Sequence, residues 1–169
     1  MATLQNRPPP PSDAALAPLR LCVRRHPTPA EALERGFEIT LRVPTALDVV
    51  EEAVDLVARH CLASGLPARA ARFNLRVALS EALANAIIYG NRLDPGKVVE
   101  IRVVVTSARL LLHVADQGDG FDPALVPDPT LPERLADEDG RGLFLIRQLV
   151  DEVQFNARGN SICMVLRRA

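Results

Sequence analysis

The chain has 169 residues and a formal net charge of −1 at pH 7. That is long enough for one domain with a sizeable core, and too evenly charged to point to nucleic acid or an anionic membrane as the main partner. Cys22, Cys61 and Cys163 are scattered, with no Cys-x-x-Cys pair and no histidine at ligand spacing, which argues against a disulfide framework or a structural metal.

Residues 1 to about 35 differ from the rest. Pro8 to Pro11 form a polyproline stretch, and Pro18, Pro27 and Pro29 would interrupt any helix. The expectation is a largely disordered tail with one short ordered piece at Leu19–Val23. The N-terminus lacks the layout of a signal peptide. No apolar run approaches the roughly 20 residues of a membrane span, so a soluble, cytoplasmic protein is expected.

The folded part is expected over residues 36–169. Phe37, Ile39, Leu41 and Val43 alternate with Glu38, Thr40 and Arg42, the period of a half-buried strand. Thr45-Ala-Leu-Asp48 resembles a capping box for a helix to about Ala63, with Leu47, Val50, Val54, Val57 and Cys61 inward. Gly65 ends that helix. A second runs from about Ala68 to Tyr89 with a core stripe of Leu75, Leu79, Leu83, Ala86 and Ile87, and Gly90 stops it. After the Asp94-Pro-Gly96 turn come strands at Val98–Thr106 and Leu110–Asp116.

Residues 121–139 lack periodicity and read as a loop with at most one helical turn. A third helix follows at Arg141–Val150, then strands at Glu152–Asn156 and Ser161–Leu166 around Arg158-Gly-Asn160. The order predicts an α+β sandwich, with helices layered on one face of a mixed, largely antiparallel sheet.

Three polar motifs interrupt this pattern. Glu81 and Asn85 stand four apart on an apolar helix, so they share a face. Burying a carboxamide alone costs on the order of 2–7 kcal/mol unless something satisfies it. An Asn oxygen suits magnesium and a nearby Glu suits general-base work; an exposed helix stripe is the ordinary alternative. Asp116 shares strand parity with Leu110, Leu112 and Val114, so an acid ends an inward face. It could take the amino group of adenine. Gly118 and Gly120 follow, where the backbone can approach a ligand closely; a surface turn reads the same way. Gly140-Arg141-Gly142 opens the third helix, where N–H groups and the dipole attract phosphate, although glycine there is also ordinary punctuation. Together the three point to ATP.

His26, His60 and His113 share no spacing, and no P-loop motif is present. The Arg24-Arg25 and Arg167-Arg168 pairs read as solvated rather than as nucleic-acid contacts.

In combination, Ser80-Glu-Ala-Leu-Ala-Asn-Ala-Ile-Ile-Tyr-Gly90, Asp116-Gln-Gly-Asp-Gly-Phe121 and Gly140-Arg-Gly-Leu143 resemble the N, G1 and G2 boxes of the GHKL ATP-binding superfamily. Within it they are most similar to the anti-sigma-factor serine/threonine kinases of bacterial partner-switching systems, the RsbW/SpoIIAB type. The resemblance spans roughly Phe37 to Arg168 and implies the Bergerat two-layer fold, with ATP and Mg2+ as cofactors. It implies Glu81 as catalytic base, Asn85 as magnesium ligand and Asp116 as the adenine acid. Gly118, Gly120, Gly140 and Gly142 would border the ATP lid, and Ser161 would stand near an adenine-bound water. Arg141, with Arg134 second, is the expected γ-phosphate contact. Implied partners are a sigma factor, a STAS-domain anti-anti-sigma factor and a second copy of the chain, with no membrane or direct nucleic-acid contact. The alternatives are a non-catalytic nucleotide-sensing module and a histidine-kinase catalytic domain.

Overall fold

The computed structural model describes residues 19–25, 36–67, 69–125 and 141–168. Six strands form one sheet in the order β1-β2-β3-β4-β6-β5: β1 Arg20–Arg25, β2 Phe37–Pro44, β3 Val98–Val105, β4 Arg109–Ala115, β5 Glu152–Phe155 and β6 Ser161–Arg167. Every pairing among them is antiparallel, so the sheet is not mixed. Three helices, α1 Val50–Ala63, α2 Leu75–Asn85 and α3 Arg141–Leu149, supply the second layer. β1 is an edge strand at the place expected to hold a short ordered piece; the remainder of residues 1–35 is outside the described residues, apart from Leu19.

The core lies between sheet and helices. Ile39 and Leu41 of β2, Ile101 and Val103 of β3, Leu112 of β4 and Met164 of β6 are fully buried. Each sits at the inward parity of its strand, as period-two alternation requires. From the helices, Leu75, Leu79, Leu83 and Ile87 meet them, the stripe expected from their spacing. At this parity a one-residue register slip would turn every one of these side chains to the open face. That open face carries polar pairs instead. Arg102 donates to both carboxylate oxygens of Glu38 at 2.8 and 3.2 Å, and Cys163 Sγ lies 3.5 Å from His113 Nε2. Burial pushes the Cys61 thiol, on the core side of α1, up to about 12, so it is an inert packing group.

Two helix starts differ from the sequence expectation. Thr45 is no cap: its hydroxyl donates to Lys97 O at 2.8 Å, and a short 3-10 turn at Leu47–Val49 precedes α1 without any side-chain cap. The long-range acceptor at the start of β3 outcompetes the local one. Leu47 consequently stands 49% exposed instead of facing the core. The second helix is continuous, but π-helical turns flank α2 at Ala70–Asn74 and Ala86–Gly90. The second π turn closes with Asn91 N–H on Ala86 O at 2.7 Å. Arg92 and Leu93 then reverse the chain with φ of 56° and 58°, a left-handed pair that costs non-glycine residues roughly 1–2 kcal/mol each. No described helix is long and apolar enough to cross a membrane.

Candidate functional site

One end of the site is built on α2 and α3. Glu81 and Asn85 are half-buried on one face of α2, where i and i+4 side chains stack. The first turn of α3 lies directly over them. A Cβ added at Gly142 would stand 2.6 Å from Glu81 Oε2 and 3.5 Å from Asn85 Nδ2, so the Gly142 backbone lies directly against the tips of both side chains. The far end of α3 is tied to the same helix by Asn74 Nδ2, which donates to Leu149 O at 2.9 Å. Among the described residues, neither Glu81 nor Asn85 has a protein hydrogen-bond partner for its side chain. Arg141 opens α3 and is exposed. Gly140 and Arg134 lie outside the described residues.

The other end lies where α2 stops, about 1.5 Å of rise per residue further along the helix. Gly90 faces the Asp116 carboxylate so closely that a Cβ on Gly90 would overlap it. A Cβ on Gly118 would overlap the carbonyl of Gly90 and stand 2.9 Å from Asp116 Oδ1. Asp116 Oδ1 accepts the Gly118 N–H at 2.7 Å. Burial raises the Asp116 carboxyl above the ordinary carboxylate range, with the Gly118 N–H, Lys97 and Arg158 pulling it back in part. A half-buried carboxylate whose burial outweighs the backbone donors around it is a strong acceptor for a further donor.

The turn between β5 and β6 braces this loop. Asp116 N–H donates to Asn160 O at 3.0 Å, and Asn160 Nδ2 donates to Asp116 O at 3.2 Å. Gly120 and Gly159, with φ of 81° and 75°, meet backbone to backbone. A Cβ on Gly120 would overlap Arg158 O, and one on Gly159 would overlap Phe121 O. Phe121 then stacks edge-on against Phe155 at 5.4 Å. A short 3-10 turn, Pro123–Leu125, follows.

Of the expected site residues, Glu81, Asn85 and Gly142 therefore come together, as do Asp116 and Gly118, which pack against Gly90, read in the sequence only as a helix stop; Gly120 borders the second group. Ser161 is not brought to this pocket. It pairs with Ala115 on the sheet face that carries His113 and Cys163, one residue off the parity of Asp116. Asn160, read in the sequence only as a turn residue, reaches the strand end instead.

The arrangement offers an acceptor beside glycine backbone at one end, and a carboxylate, a carboxamide and a helix N-terminus at the other. That suits an elongated ligand with an amino-bearing ring and an anionic tail. Among the described residues no three His, Cys, Asp or Glu side chains cluster as a metal cage. The donor set of one carboxamide and one carboxylate fits a cation that takes its other ligands from phosphate and water, as magnesium does.

Known proteins resemble this chain over about half of its length. Serine-protein kinase RsbW of Bacillus licheniformis is 39% identical over 90 residues, 48% of this chain and 54% of the relative. RsbW of Bacillus subtilis (strain 168) is 37% identical over 98 residues, 54% of this chain and 61% of the relative. The anti-sigma F factor of Geobacillus thermodenitrificans is 34% identical over 89 residues, 51% and 60%. The chain thus spans only a little over half the length of these curated relatives. A sequence profile described as "Histidine kinase-like ATPase domain" matches residues 43–166, most of the chain, from the end of β2 through β6, and the chain belongs to that family.

Proposed function

We propose that the chain is an ATP- and magnesium-dependent protein serine/threonine kinase that acts as an anti-sigma factor. It would hold a sigma factor and phosphorylate a STAS-domain anti-anti-sigma partner, working as a homodimer. The observation that carries this reading is the placement of Gly142 over Glu81 and Asn85 in the C-terminal half of α2, with Asp116 and Gly118 against Gly90 at the end of the π turn that follows it. The relatives, a serine-protein kinase and an anti-sigma F factor by name, support the reaction and the partner class.

ATP enters as substrate. Asp116 accepts the adenine amino group, and Gly90 and Gly118 let the ring approach the backbone. The N-terminus of α3, with Gly142 and Arg141, receives the phosphates, Arg141 meeting the γ-phosphate. Asn85 would hold magnesium, which neutralises phosphate charge when bound. Glu81 orients the partner's hydroxyl and accepts its proton as the oxygen attacks. Most of the barrier lowering in such a reaction comes from positioning and charge.

The pH dependence has a definite sign. In the free protein burial raises the Asp116 carboxyl, so this group favours folding at low pH and that contribution is lost as pH rises through its folded value. An adenine amino donor stabilises the ionised form and pulls the pKa back down. Affinity for ATP is then full above the free-state pKa of Asp116 and falls as pH drops through it, with proton uptake opposing binding. Titrations from neutral pH into the acid range should show a steeper decline in the wild type than in Asp116→Asn, which keeps only the decline due to protonation of ATP itself.

The test of the function is incubation with ATP, magnesium and a STAS-domain protein encoded beside this chain, followed by mass spectrometry. Phosphoserine or phosphothreonine on the STAS protein is the expected result. Tight nucleotide binding with no transfer to it would favour the non-catalytic sensing module.

A further inference from the structure

Asn91 is fully buried, and the only other buried polar or charged side chain among the described residues, Thr45, is its hydrogen-bond partner. Its side chain makes three hydrogen bonds, each to a different segment. Oδ1 accepts the Gln117 N–H at 2.8 Å. Nδ2 donates to Thr45 Oγ1 at 2.9 Å and to Val98 O at 3.0 Å. The opposite amide orientation would set Nδ2 against an N–H and Oδ1 against a carbonyl, so the partners permit only this one. Gln117 closes the ring by accepting the Val98 N–H on Oε1 at 2.8 Å. The left-handed turn at Arg92 and Leu93 is what allows the chain to leave while Asn91 stays inside.

The Gln117 N–H belongs to the peptide unit that begins at the Asp116 carbonyl. Asn91 holds the N–H of that unit, and Asn160 Nδ2 holds its C=O at 3.2 Å. A peptide plane gripped at both ends cannot rotate, and its orientation sets the direction of the Asp116 side chain and the approach of Gly118 to Gly90. We propose that Asn91 is a positioning residue that aims the Asp116 carboxylate and thereby sets the preference for adenine over guanine nucleotides. Adenine presents an amino donor where guanine presents a carbonyl acceptor, so a correctly aimed carboxylate accepts one and repels the other. This rests on the reading of Asp116 as the nucleobase acid.

The experiment measures affinity for ATP, GTP and inorganic tripolyphosphate in the full chain and in four variants. Asn91→Ala should lower ATP affinity about tenfold, the size of one lost charge-assisted hydrogen bond, and lower the ATP/GTP preference by a similar factor. Tripolyphosphate affinity should stay within about threefold, because the α3 end is untouched. Asn91→Asp keeps the acceptor for Gln117 N–H and should restore the preference despite a lower melting temperature. Thr45→Val removes the other arm of the network and should lower stability alone. If Asn91→Ala does not fold, Asn91→Ser replaces it, since a water can enter the polar space left behind. Unchanged ATP/GTP preference in Asn91→Ala or Asn91→Ser overturns the proposal. So does an equal loss for all three ligands. Asp116→Asn separates the two levels: if it leaves the wild-type preference intact, or if the wild type has none, the nucleobase reading itself fails. If it abolishes the preference while Asn91→Ala does not, only the role of Asn91 fails.

Discussion

Glu81→Gln is expected to bind ATP within about threefold of the wild type and to lose phosphoryl transfer by roughly 10²–10⁴-fold, the usual worth of a positioned general base. The amide is isosteric with the carboxylate, so the packing beneath Gly142 is preserved and α2 keeps its buried stripe. What disappears is the ability to accept the hydroxyl proton. Because Glu81 stands nine residues before Gly90, roughly 13 Å of helix rise from the place where Asp116 packs, nucleobase recognition is insulated from the change. Single-turnover phosphorylation of the STAS partner beside equilibrium nucleotide binding separates the two effects. Equal transfer rates for the two forms would remove Glu81 from the mechanism.

Gly118→Ala should cost more than its one methyl suggests. The new Cβ would overlap the Gly90 carbonyl and stand 2.9 Å from Asp116 Oδ1. Neither neighbour can retreat. The Gly90 peptide ends a π turn closed by Asn91, and Asn91 is gripped on three sides. The strain therefore falls on the loop after β4, at roughly 1–3 kcal/mol of stability for overpacking of this kind. The Asp116 carboxylate, displaced with the loop, loses its aim, and nucleotide affinity should drop about a hundredfold, or roughly 2.7 kcal/mol. A thermal melt and a nucleotide titration measure both. An alanine variant that binds ATP within twofold of the wild type would show that the loop has slack the packing does not suggest.

Much of this framework was legible before any coordinates. The stripe from Leu75 to Ile87 is periodic enough to announce its helix, and the alternation in Phe37–Val43 and Leu110–Val114 announces strands with an inward face. These signals are local, and local spacing survives into the fold. The misreadings share the opposite origin. Thr45 looks like a cap because its neighbours fit a capping box, yet its hydroxyl answers a carbonyl 52 residues away. Asn91 stands in Asn-Arg-Leu-Asp-Pro-Gly, a run of ordinary turn formers, and nothing in that run shows that its side chain turns inward. Asn160 and Gly159 read as hairpin punctuation although they brace the loop after Asp116. Ser161 follows a motif position by likeness, while strand register sends it to the other face. The pairing of Gly142 with Glu81 joins residues from two helices, and only the combination of motifs hinted at it.

The shared premise is that α2 forms the spine of one nucleotide pocket, with the base at its C-terminal end and the phosphates under α3. A crystal structure with a non-hydrolysable ATP analogue and magnesium tests it most directly. The expected result is the purine amino group on Asp116 beside Gly90 and Gly118, and the phosphates at the start of α3 next to Asn85. A purine seated anywhere else, or phosphates remote from Gly142, would contradict it.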